Sequence, residues 1–155
     1  MTRLHYEKEL QRLQDELLLL GSMVNQALRQ SVDILKRQDL AGAEKLIADD
    51  KQINRRRFAI EDAVLTLIAT QQPMARDMRF LAAVLEISSE LERIGDYGKG
   101  IARITLYLGK DPAVKPLVHI PQMCVFVNDM LRAASSAARS ISLTITHICG
   151  ICTSG

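Results

Sequence analysis

Tryptophan is absent, and aromatic residues make up 4% of the 155 residues. A core in this chain therefore has to be built from aliphatic side chains. No apolar run reaches the ~18 residues of a membrane-spanning helix, so direct insertion into a bilayer is not expected. Charge of one sign is not in excess either. Twenty basic against 18 acidic residues leave a net charge of +2. That balance argues against nucleic acid as the main partner. The first 16 residues, MTRLHYEKELQRLQDE, are charged throughout, unlike a secretory signal. The expected compartment is the cytoplasm. There the three cysteines, Cys124, Cys149 and Cys152, read as thiols rather than a disulfide framework. Hydrophobic residues at 48% and charged residues at 25% fit one globular domain with a real core.

What is present is helical pattern. Tyr6, Leu10, Leu13, Leu17, Leu20, Val24, Ala27, Ser31 and Ile34 follow one another by steps of three and four. They predict a long first helix with a coiled-coil type seam. Asp39 suits the N-cap of a second helix, from about Leu40 to Ala69, marked by Leu46, Ile53, Ile60 and Leu67 at seven-residue spacing. Pro73 suits the first turn of a third helix, from about Met74 to Leu108. Its expected seam is Phe80, Val84, Ile87, Leu91, Ile94, Gly98, Ile101, Thr105 and Leu108. Gly109, Pro112 and Pro116 close it. A fourth helix begins near Leu117, with Pro121 in its first turn. Its apolar face is Ile120, Met123, Val127, Met130 and Ala134. The expected fold is all-α: an antiparallel three-helix bundle over residues 1–110 plus a fourth helix over 115–134.

Residues 135–155 differ in character. Ile141, Leu143 and Ile145 alternate with Ser142, Thr144 and Thr146, a strand period. The end carries Cys149 and Cys152 with His147 nearby. A redox or zinc role is one reading, but zinc takes about four ligands. A loose terminus is the other.

The segment SSELERIGDYGKGIA, residues 88–102, sets carboxylates beside glycines in a helix. Each glycine costs roughly 1 kcal/mol against alanine. Glu92 and Asp96 are four apart and stack on one face, a face expected to point away from the Leu91–Ile94 seam. Stacked like charges repel by a few tenths of a kcal/mol, which suits a multivalent cation with hard oxygen ligands. A solvated face accounts for the same spacing. Asp50 and Asn54 on the second helix repeat the spacing and supply further oxygens. The run Arg55, Arg56 and Arg57 points to different faces and reads as ion pairs. There is no Gly-rich phosphate loop, no His-Glu-x-x-His and no Glu-x-x-His pair of the di-metal oxidases.

The segment ELERIGDYGKGIA resembles the PhoU family of bacterial phosphate-signalling regulators, whose third helix carries E-L-E-R-I-G-D followed by I-A. Glu90 to Asp96, then Ile101 and Ala102, match. LGSMVNQAL, IADDKQIN and QQPMARDMRFLAAVLEISSELERIGD are similar to family segments in all three helices. The resemblance covers residues 4 to about 134: a first repeat and the start of a second. It implies a non-enzymatic, cytoplasmic negative regulator of phosphate uptake and phosphate-starvation signalling. It further implies contact with the ATPase subunit of the phosphate ABC transporter and with a sensor histidine kinase. It implies multivalent metal, iron, zinc, manganese or magnesium, on Glu92 and Asp96, with Asp50 and Asn54 contributing. A fourth helix whose apolar face lacks partners folds back on the bundle or pairs two copies as a homodimer. Two other readings remain: an accessory regulator of another phosphate transporter, and a carboxylate-bridged metalloprotein.

Overall fold

The structure, a computed structural model, describes residues 3–111 and 117–151, with side chains over 5–111 and 117–137. These residues form α1 (Arg3–Arg37), α2 (Leu40–Gln71), α3 (Ala75–Leu108) and α4 (His119–Ile151). The first reversal is short because Asp39 caps α2, accepting from the Gly42 N–H at 2.9 Å. That satisfies one of the donors a helix start leaves open. Gln72 closes α2 in the left-handed region, φ 46°. Pro73 follows, and Met74 precedes α3 in extended backbone.

Two long-range hydrogen bonds fix directions. The Tyr6 hydroxyl donates to Asp77 Oδ2 at 3.1 Å, joining the starts of α1 and α3. The Gln38 amide donates to the Asp111 carbonyl at 2.6 Å, joining their ends. So α1 and α3 run parallel, and α2 runs antiparallel to both: up, down, up. Burial of the Tyr6 ring edge, with the Asp77 carboxylate beside it, pushes the phenol up to about 12. A proton held more tightly in the folded chain stabilises below the unfolded value near 10, and that contribution fades as pH rises to about 12. Tyr6→Phe is expected to delete a phenolate absorbance step centred near pH 12 and to flatten stability between about pH 10 and 12. An unchanged absorbance titration would contradict the Tyr6–Asp77 contact.

The core follows the α2 pattern closely: Leu46, Ile53, Ile60 and Leu67 are all buried. Ile53, Ile60 and Leu67 join Leu13, Leu20 and Val24 of α1 and Leu81, Val84 and Leu91 of α3 in the main cluster, and Leu46 packs with Ala43 and Ala102 in a second one. The expected α3 seam is only half right. Ile87 and Leu108 are exposed at 42% and 43%. The buried face is Leu81, Ser88, Gly95 and Ala102 interleaved with Val84, Leu91, Gly98 and Thr105. Small residues take the places assigned to larger ones, because burial between helices in close contact does not require a large side chain. A Cβ at Gly98 would stand 3.5 Å from Leu28 Cα and 3.6 Å from the Ala27 carbonyl carbon. At this point α3 meets the backbone of α1 itself.

The reading of the fourth helix needs two corrections. The strand period of Ile141, Leu143 and Ile145 is not met, since α4 continues to Ile151. Ile141 and Ile145 are also four apart, and so short a window cannot separate the two periods. The second concerns orientation. Among the described residues α4 packs on α1 alone, turning Cys124, Asn128 and Leu131 inward. Met123, Phe126 and Met130 are exposed at 64%, 70% and 71%. The expected apolar face thus points out, not back. Pro112, Pro116 and Cys152, with the side chains of His147 and Cys149, lie outside the described residues.

Candidate functional site

The rotated α3 face brings the carboxylates to the α2–α3 groove. On α2, Asp50, Asn54 and Arg57 succeed one another by four and three residues, and on α3 Glu92, Asp96 and Lys99 do the same. Each set therefore lies on one face. Because α2 and α3 run in opposite directions, Asp50 lies by Lys99 and Arg57 by Glu92. The stripe expected to point away from the core lies at its edge, with Asp96 exposed and Glu92 half-buried.

Asp50 is 5% exposed. A carboxylate so buried requires a partner, and it has one that the spacing argument did not use. The Lys99 ammonium donates to Asp50 Oδ2 at 2.6 Å and to Asp96 Oδ1 at 3.3 Å. The short bond to Asp50 is the main reason the Lys99 pKa is raised, against the opposing effect of its own burial. Glu92 is half-buried. Burial raises its pKa, the charge of Asp96 adds to that, and the Arg57 guanidinium opposes it. Arg57 is held by Glu61 at 2.8 Å and stacks 4.2 Å from the Phe58 ring centroid. Arg56 pairs with Glu16 of α1. Two of the run, Arg56 and Arg57, thus serve ion pairs, as the spacing suggested, while Arg55 is exposed.

Asn54 lies one turn beyond Asp50. Its Oδ1 is buried with no hydrogen-bond partner, an uncommon state for a buried carbonyl. The donor set is therefore all oxygen: two carboxylates from different helices converging on one point, a third on the same α3 face, and an unpaired amide carbonyl. Oxygens of this type are what hard cations take, but Lys99 already fills the point that Asp50 and Asp96 share. As placed, the set is open. Among the described residues no three or more Asp, Glu, His or Cys close into a group that could hold a metal ion. Lys99 stands at the point where Asp50 and Asp96 converge. Its position was legible as the third residue after Asp96, but its partner Asp50 is 49 residues away, beyond any local pattern. No helix among the described residues is long and apolar enough to cross a membrane.

Comparisons with known proteins point to one family. A phosphate-specific transport system accessory protein PhoU homolog from Aquifex aeolicus is 32% identical over 124 residues, 80% of this chain and 56% of the relative. The PhoU homolog of Clostridium acetobutylicum is 38% identical over 104 residues, 66% and 48% of the two chains. The Escherichia coli accessory protein PhoU is 34% identical over 101 residues, 65% and 42%. The chain thus spans about half the length of the relatives it matches. The model of the PhoU domain matches residues 17–105, from the middle of α1 to the last turn of α3. With more than half of its length matched across three packed helices, the chain belongs to the PhoU family.

Proposed function

We propose that this chain acts as a non-enzymatic negative regulator of phosphate uptake and phosphate-starvation signalling. The observation that carries the reading is the match of the PhoU domain to the α1–α3 unit. The names of its relatives, accessory proteins of a phosphate-specific transport system, give the direction. The chain would work in the cytoplasm through protein contacts, with the ATPase subunit of the phosphate ABC transporter and a sensor histidine kinase as its partners. The outward apolar face of α4 supports pairing of two copies. Glu92, Asp96, Asp50 and Asn54 would hold a multivalent metal ion, whose charge would neutralise a groove otherwise rich in carboxylate.

The test is complementation. The chain is expressed in a bacterium that lacks its own PhoU protein and carries a transcriptional reporter of phosphate starvation. In phosphate-replete medium the reporter is expected to fall severalfold, and the transporter ATPase to co-purify with the chain. A soluble, helical chain that leaves the reporter fully on would overturn the regulatory reading.

A further inference from the structure

Among the described residues α4 touches α1 alone, and it does so with one side. Ile120, Met123, Val127, Met130, Ala134 and Ala137 succeed one another by alternating steps of three and four, the spacing of a coiled-coil seam. All six are exposed. The seam lies about a quarter of a turn from Cys124, Asn128 and Leu131, the side that meets α1. Exposure rises across it, from 38% and 39% at Ile120 and Val127 to 64% and 71% at Met123 and Met130. In the sequence the same steps continue through Ile141, Thr144, Ile148 and Ile151, as far as α4 runs.

Charge and area point to the occupant. Residues that flank a coiled-coil seam select its partner through their charges. Here the flanks are Cys124, Phe126, Leu131 and Ala133, and none is charged. Asp129 and Arg132 fall outside the seam and its flanks. An identical copy therefore meets no like charge along the contact. The five large side chains, Ile120, Met123, Phe126, Val127 and Met130, expose about 550 Å² in all, taking roughly 200 Å² for each when fully exposed. Two copies can then bury about 1,100 Å², before the alanines are counted, and a specific interface needs about 1,000 Å². Direction follows from side-chain shape. Ile120 and Val127 hold the first position of each heptad and Met123 and Met130 the fourth. β-branched residues at the first position favour two parallel strands.

We propose that two copies of this chain pair in parallel along α4 as a two-stranded coiled coil, each Val127 and each Met130 set against its counterpart. The inference rests on the pairing of copies given above and adds its surface, direction and register. The contact is isologous, so it closes at two copies and leaves no open edge for a third. The pair carries two three-helix units joined by one seam.

Sedimentation of the full chain tests this. At micromolar concentration the native chain is expected to sediment at twice 17.3 kDa. Met130→Glu is expected to weaken pairing at least about hundredfold, because it sets two carboxylates against each other in an apolar seam. Met130 is exposed in the single chain, so the variant keeps its fold, which circular dichroism checks. Val125→Glu, at a residue 58% exposed but off the seam, is expected to stay dimeric. Direction is read from Val127→Glu and Val127→Lys. Each alone is expected to be monomeric, and an equimolar mixture is expected to pair again. A monomeric native chain overturns pairing altogether. A native dimer that Met130→Glu leaves intact overturns the α4 seam, while pairing by another surface stands. A mixture that stays monomeric overturns the parallel register.

Discussion

Lys99→Met is expected to destabilise the metal-free protein by about 3 kcal/mol, read from denaturant unfolding at neutral pH. The cause is the carboxylate left behind. Asp50 is 5% exposed, and stripping its ammonium leaves a buried charge without a counterion. Breaking such pairs costs about 3–5 kcal/mol. The low end applies because the Lys99 side chain keeps 20% of its surface in solvent. Asp50→Asn in the Lys99→Met background removes the orphaned charge and is expected to restore most of the loss. The double-mutant cycle then isolates the coupling between α2 and α3. A coupling near zero would mean that the pair is not formed in solution.

A second large effect separates two adjacent leucines. Leu20→Ala is expected to cost about 3–4 kcal/mol. Leu20 is fully buried in the cluster with Val24, Ile53 and Leu91, so truncation leaves a cavity among three helices. Leu19, its neighbour in the run of four leucines, is 46% exposed. Leu19→Ala is expected to cost under about 1 kcal/mol, because little apolar area returns to water. Comparable losses from the two variants, measured in parallel by thermal and denaturant unfolding, would show that α1 is rotated from the orientation described.

How much of this could be read from residues alone follows from what hydropathy records. The α2 stripe was legible because Leu46, Ile53, Ile60 and Leu67 are large and regularly spaced. The α3 seam was misread by part of a turn because Ser88, Gly95 and Ala102 are buried without being conspicuously apolar. That shift hid the main property of the candidate site. A stripe read as pointing away from the core keeps Asp96 exposed but sets Glu92 at the core's edge, beside α2. Glu92, Asp96, Asp50 and Asn54 were named from spacing and family likeness, and the fold sets them along one groove. Lys99 escaped notice because its significance depends on a tertiary partner. The α4 periodicity marked an apolar face correctly, but periodicity carries no sign that tells inward from outward. Cys124, Asn128 and Leu131 share the other face, and that is the one turned to α1.

The seam between α1 and α4 also bears on how the molecule comes apart. Its inner residues are a thiol, whose sulfur lies 3.9 Å from the Leu28 carbonyl, and Asn128, 2% exposed with its Oδ1 unpaired. Lifting α4 returns that oxygen to water and exposes Leu131, which packs against the main cluster. Opening α1–α3 exposes the whole aliphatic core. The free energies of the two events differ widely, so they belong to separate cooperative units. Under mild stress α4 leaves first, and the three-helix unit with its charged groove survives as the last folded element.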